Sequence, residues 1–533
     1  MGLQDGLLKQ YLRQIDAIMI KNKYLIYILI APFLLLSCTD SNIAGEFNDG
    51  KTDNNKIVLT PDEFVSIAYD NPQELTQEEI SNIVLNFRDN IEIGKEISTR
   101  SSETAKVSIA KKYYITKKKN SIETITTTRS PISDEFAIPI FEVEIDNNKG
   151  NKSLAIVCGD ERVPEVLFYL DNYTHKSIID NGTRYLLELS KKNVFSDIQQ
   201  VEHIKSIKRD STLHKIAQQL NIPQREISYS EIKGRIITTD EISTRNNNPG
   251  NHVGGVSRPQ SYVVGYVNPL SKVAWKQGEP YNYGRPIMMI YDGYGGEQEG
   301  NLAVGCANVA IGILFSIIKP TMSLSNNLRI DWDYITSVES ITFMPEVPGY
   351  GSPEDMVNMI TGLLAQIAID TESFPSYENK ELTDVNTGNK YTKSVITGTG
   401  TSPSKITNYL RNRVNFSGNE NNKFNGNLAK QSLFERKPVF LQGSGHMVDA
   451  NGNIIGKAGG HAWLIDGVVI TKNPRQASYD HYWSVNMGWG GWSRSYFRTS
   501  NDLQNCDVIF DTDDGYIAYY TQEMTMLYNI TKK

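Results

Sequence analysis

Cysteine is scarce in this chain: 533 residues hold four, Cys38, Cys158, Cys306 and Cys506. Their scattered positions lack the paired spacing of a disulfide framework or a structural metal site. Positive charge is not in excess either. The formal net charge is -7 with both signs interspersed, which leaves no basic stripe for nucleic acid. No internal repeat is evident, and no metal or organic cofactor is implied. Apolar runs are short, and the longest near the start, Tyr24 to Leu36, is too brief to span a bilayer comfortably. What remains is an ordinary globular composition whose length predicts two or three domains.

That one apolar run carries information. Lys21 and Lys23 precede it, and Leu35-Leu36-Ser37-Cys38 closes it with the small residue and cysteine of a bacterial lipoprotein signal. On this reading residues 1–37 are a signal peptide, for which Met19 makes a cleaner start than Met1. Cys38 is then lipidated, residues 38–56 are a polar tether, and the protein sits in the cell envelope or is secreted after processing. The alternative is a plain secretory signal or an uncleaved anchor.

Residues 57–237 read as a first α+β region. Thr60-Pro61-Asp62-Glu63 has the form of a capped helix start. A second helix is expected from about Thr76, with Ile80, Ile83, Val84 and Phe87 on one face. Ile138 to Ile145 and Leu154 to Val157 flank a turn as a hairpin, and helix resumes from Val194 to Gln219. Residues 238–260 contain Asn246-Asn247-Asn248-Pro249-Gly250 and Gly254-Gly255, a composition that cannot bury a core and predicts an exposed linker. Arg245 and Arg258 are its candidate cleavage sites. Residues 261–533 form the last region and hold every candidate for chemistry.

Gly305-Cys306 opens the expected helix Val304 to Lys319, which Pro320 ends. A thiol at a helix N-terminus is favoured as thiolate. By itself such a cysteine is more often a core thiol than a nucleophile; Cys158 and Cys506 carry the core reading. His461 follows 155 residues later, near the roughly 130–150 of papain-like enzymes. Gly459 and Gly460 clear space before it, Ala462 to Ile465 continue as a strand, and Asp466-Gly467 is expected to turn. His446 and His481 are rivals in polar, loop-like surroundings. Asn486, on the returning strand, is placed to accept from the imidazole N–H, with Trp489 and Trp492 shielding that bond; an ordinary strand-end asparagine is the alternative. Gln277 is the candidate to donate, with the Cys306 N–H, to a developing oxyanion.

Together, Trp275-x-Gln277-x-x-Pro280-Tyr281-Asn282, Gly305-Cys306, Gly459-Gly460-His461-Ala462 with Ile465-Asp466-Gly467, and Val485-Asn486-x-Gly488-Trp489-Gly490-Gly491 resemble the streptopain family of papain-fold cysteine peptidases. Ile156 to Leu167 is similar to a segment of that family's inhibitory propeptide. The resemblance implies a zymogen of α+β class: a papain-like two-subdomain catalytic domain, helical part plus antiparallel sheet, behind an α+β propeptide. Cys306 is implied as nucleophile, His461 as base, Gln277 as oxyanion donor and Asn486 as orienter. The implied partners are protein or peptide substrates, the chain's own propeptide as inhibitor, and a membrane through Cys38. Two features depart from the family: Met487 stands where it usually has tryptophan, and Gly443 to Gly459, with His446 and Asp449, is longer than usual. The rival readings are a Cys-His acyltransferase or amidase, and a surface lipoprotein whose site has decayed.

Overall fold

The computed structural model describes residues 56–92, 105–118, 121–125, 137–146, 152–173, 181–242, 261–343, 351–384, 387–419, 424–448, 454–476, 478–490, 495–498, 509–511 and 517–533. Cys38, Cys506, Arg245, Arg258, Asp449 and Trp492 lie outside the described residues.

Local chemistry sets the first elements. Strand β1 (Ile57–Leu59) leads into helix α1 (Pro61–Ile67). The Thr60 hydroxyl accepts from the Glu63 N–H at 3.2 Å and the Glu63 carboxylate accepts from the Thr60 N–H at 2.8 Å, a reciprocal cap with Pro61 in the first turn. Helix α2 (Gln77–Glu92) buries Ile80, Val84, Phe87 and Ile91, the helical spacing expected for it. Strands β2 (Lys106–Lys118), β3 (Ser121–Ile125), β4 (Ile138–Asp146), β5 (Lys152–Cys158) and β6 (Val166–Tyr173) follow, with β4 and β5 antiparallel as the hairpin pattern predicts. Helix α3 (Asn181–Leu220) is longer than expected, and β7 (Ile236–Thr238) pairs in parallel with β1. Cys158 is fully buried, as the core reading has it, and burial pushes its thiol up.

The last region divides into a helical part and a sheet. Strand β8 (Tyr262–Val267) comes first. Strands β9 (Ile287–Tyr291) and β10 (Glu297–Asn301) precede helix α4 (Cys306–Ile318). Helix α5 (Glu354–Asp370) packs on α4, followed by β11 (Phe374–Thr383) and β12 (Lys390–Gly400), which complete a four-stranded sheet with β9 and β10. Helix α6 (Pro403–Arg413), β13 (Val414–Asn419) and helix α7 (Gly426–Phe434) lead to β14 (Val439–Val448), β15 (Ile454–Lys472), β16 (Tyr479–Asn486), β17 (Ser495–Arg498), β18 (Ile509–Asp511) and β19 (Ile517–Lys532).

Among the described residues one sheet has the order β13-β19-β14-β15-β16-β17-β6-β5-β4-β2-β3, with β18 on β19 and β8 on β15. Its middle joint is β17 against β6, antiparallel, with Ser495, Tyr496 and Phe497 opposite Leu170, Tyr169 and Phe168. The sheet of the first region therefore continues that of the last, and residues 57–533 form one compact unit.

Three expectations change. Asp466-Gly467 is not a turn: β15 runs through it with a bulge to Lys472. A Cβ on Gly467 would lie 2.9 Å from the Val267 carbonyl, so its absence lets β8 approach. The Asp466 carboxylate is buried, accepting from the Ser271 N–H at 3.0 Å and the Ser484 hydroxyl at 2.8 Å. Gly443 to Gly459 is a hairpin rather than a loop over its described residues, because β14 pairs with both β15 and β19; His446 lies in β14, and His481 in β16. Thr238, the first linker residue, is buried at the end of β7, and residues 239–242 form a helical turn. The Thr238 hydroxyl donates to the Pro474 carbonyl at 2.8 Å, and Arg475 Nε meets the Glu241 carboxylate at 3.1 Å.

Candidate active site

Cys306 is the first residue of α4, and Gly305 caps it with φ 93°. That is left-handed backbone open to glycine. A Cβ there would also stand 3.1 Å from Thr399 Cγ2 and 3.2 Å from the Thr399 carbonyl. Residues Ala307 to Ser316 are all buried, so α4 is wedged between α5 and β15 and the thiol is held at a rigid end. The Asn308 amide, also buried, donates to the Val304 carbonyl at 2.7 Å and accepts from the Thr371 hydroxyl at 2.8 Å, pinning the helix start.

The thiol itself is half-buried. Cys306 Sγ lies 4.0 Å from the Gly460 carbonyl, and the Ala462 backbone N–H faces the sulfur. Residues 460 and 462 flank His461, so α4 and β15 bring nucleophile and base candidates together. Burial pushes the Cys306 thiol up, against the opposing hydrogen bonds of Ala462, Ala307 and its own backbone. His461 is 8% exposed, and burial lowers it to about 3. Both groups are therefore neutral at about pH 7.

His461 stands between two indoles. The Trp489 ring is stacked at 4.7 Å and 26°, and the Trp463 ring lies at 6.0 Å and 13°. A hydrogen bond to the Met487 backbone favours the charged ring, which identifies the partner as the Met487 carbonyl accepting from an imidazole N–H. Asn486, expected to orient the ring, makes its hydrogen bonds elsewhere. The Asn486 amide is buried, its oxygen accepting from the Gly488 N–H at 3.1 Å and its nitrogen donating to the Val273 carbonyl at 3.3 Å. Asn486 thus shapes the strand end that presents the Met487 carbonyl.

Gln277 is half-buried on the preceding loop, and its carbonyl accepts from the Val304 N–H at 2.9 Å. The Gly490 N–H donates to the Trp275 carbonyl at 3.2 Å, tying the Trp489 corner to the same loop. Cys306, His461, Gln277, Met487, Trp489 and the Gly459-Gly460 stretch are thereby connected. The sequence reading missed the Met487 carbonyl, since a backbone group leaves no mark in residue type. It also missed Asn308, whose signal was visible as one amide inside an apolar helix.

Residues 275–497 match the model of the Peptidase C10 family. No curated protein matches the chain. Among solved structures, a mutant fragment of Prevotella intermedia prointerpain A aligns over 74% of this chain and 96% of its own, at 15% identity and a TM-score of 0.36. Residues 275–497 belong to the Peptidase C10 family, the streptopain family, and the fold that holds them is mixed helix and sheet.

Proposed function

We propose that the protein is a cysteine endopeptidase made as a zymogen, exported through its N-terminal signal and tethered by lipid on Cys38. The observation that carries the catalytic reading is the placement of Cys306 Sγ against the backbone on both sides of His461. Once the imidazole takes the thiol proton, thiolate attack on a peptide carbonyl gives a tetrahedral intermediate. Its oxyanion is stabilised by the Cys306 N–H and the Gln277 amide. His461 then protonates the leaving amine, and water hydrolyses the thioester. The Met487 carbonyl holds the ring's angle, and Trp489 keeps water from that bond.

The latency reading is supported by the continuous sheet that residues 57–237 form with the catalytic region. Activation by cleavage in residues 243–260, after Arg245 or Arg258, fits a stretch of Asn, Pro and Gly between two anchored ends. The test is hydrolysis of a casein-type substrate by the cleaved chain: Cys306→Ser is expected to be inactive with an unchanged fold. Full activity of that variant refutes the assignment. Mass spectrometry of the activated form locates the new N-terminus, and equal activity of the intact chain refutes the zymogen.

A further inference from the structure

Between residues 57–237 and the catalytic region lies a buried charge cluster that no step of peptide hydrolysis uses. Arg498 of β17 is 2% exposed. Its Nη1 meets Asp197 Oδ2 of α3 at 2.5 Å, and its Nη2 and Nε meet Asp480 Oδ1 of β16 at 2.6 and 2.7 Å. Glu165 is just before β6 and 3% exposed, and among the described residues its hydrogen bonds come from neutral groups: Asn473 Nδ2 and the Tyr482 hydroxyl each donate at 3.4 Å. Asp197 and Glu165 come from the first region; Arg498, Asp480, Asn473 and Tyr482 come from the catalytic region.

Two buried carboxyls therefore hold the guanidinium, and a third, Glu165, lies within its electrostatic reach without pairing to it. Two carboxylates already outweigh Arg498, so a third negative charge faces both desolvation and a net negative neighbourhood. We propose that docking of residues 57–237 onto the catalytic region takes up a proton at Glu165, which makes the seam a latch that holds in acid and loosens as the pH rises. This rests on reading residues 57–237 as a detachable propeptide.

The surrounding groups leave that assignment in place. Burial, and then the Asp480 charge, push Glu165 well above its ordinary 4.5, against the pull of Arg498. Burial also raises Asp197 despite Arg498. The Tyr482 phenol is pushed up, and His481 is lowered to about 4 by burial and Lys430, so it stays neutral. Lys472 is held 3.6 Å from Asp240, Arg475 is committed to Glu241, and Arg162 pairs with Asp160 at 2.7 Å and Glu202 at 3.4 Å. Glu165 is one of the residues that line a cavity of about 850 Å³, with Asp70, Glu78, Glu79, Glu161, Lys233 and Arg475.

The sign follows from linkage. A carboxyl that titrates higher when docked contributes its full stabilisation below its ordinary 4.5, and loses it as the pH rises toward the docked value. Within that window one proton is bound on docking, so the dissociation constant rises by up to about tenfold per pH unit.

The test uses the full chain carrying Cys306→Ala, nicked within residues 243–260 by trace trypsin. Sedimentation then follows separation of the two pieces between about pH 5 and about pH 8, with urea added to bring dissociation into range. The parent is expected to dissociate more readily as pH rises. Glu165→Gln, which keeps the hydrogen bonds and binds no proton, is expected to flatten that dependence. A flat parent profile, greater separation in acid, or an undiminished slope in Glu165→Gln overturns the proposal. In the intact chain, a protonated-carboxyl infrared band at about pH 7 that disappears in Glu165→Gln supports it, and unchanged bands count against it. Latency is read separately, by the activity of the nicked chain with Cys306 present, so failure of the zymogen reading is distinguishable.

Discussion

His461 is positioned by backbone and by stacked rings, and this separates the consequences of changing its neighbours. In the proposed mechanism His461 moves the proton, so His461→Ala should abolish peptide hydrolysis. Asn486→Ala leaves the Met487 carbonyl but strands the Gly488 N–H and the Val273 carbonyl. Stability should fall by about 1–3 kcal/mol, with activity reduced rather than abolished. Melting temperatures and kcat/KM for both variants check this; equal loss of activity with unchanged stability in Asn486→Ala would return the orienting role to that side chain. Met487 is 6% exposed within the core, so Met487→Trp should cost about 1–3 kcal/mol by overpacking while the carbonyl contact persists. The raised Cys306 thiol has its own signature. In the intact chain, alkylation by iodoacetamide should be slow at about pH 7 and climb as the pH approaches and passes the ordinary 9.0, because only the thiolate reacts. Fast, pH-independent labelling of the intact chain would show that a Cys306–His461 ion pair already exists.

The start of α4 concentrates constraint on Gly305. Gly305→Ala places a side chain at φ 93° against Thr399, so a loss of about 1–3 kcal/mol is expected, with hydrolysis falling as the helix end shifts. Urea unfolding measures it; a neutral change would mean that the helix end is free to adjust. This element was legible because its signals are local: a glycine, an apolar helical run and Pro320 lie next to one another in the chain. The Thr60 cap and the β4–β5 hairpin were legible for the same reason. Asp466-Gly467 was not, because its conformation depends on Ser271 and Ser484, which approach from distant segments and hold the carboxylate inside a continuing strand. Gly443 to Gly459 looks like loop sequence, yet β14 is flanked on both sides by strands that supply its backbone partners.

At the scale of the whole molecule, the motif order placed the Cys306 and His461 segments together, whereas the joint between the regions was invisible. Nothing in residue order says that Asp197 and Arg498, 301 positions apart, form a buried pair. Asp197→Ala leaves Arg498 paired with Asp480 but strands its Nη1 donor in the core, so the intact chain should lose about 1–3 kcal/mol. The cleaved enzyme, whose catalytic region keeps Arg498 with Asp480, should retain its kcat. Calorimetry of the intact chain and kinetics after cleavage test the two halves of that statement, and a normal melting temperature would remove the pair from the latch. In the proposed function Cys306, with His461, performs the hydrolysis once residues 57–237 are released. The most direct measurement of this is the mass of the cleaved chain after treatment with an epoxide inhibitor of papain-like enzymes, taken beside residual activity. One adduct on Cys306, formed in step with loss of hydrolysis and absent from His461→Ala, is the predicted result; an active chain that carries no adduct on Cys306 would contradict the account.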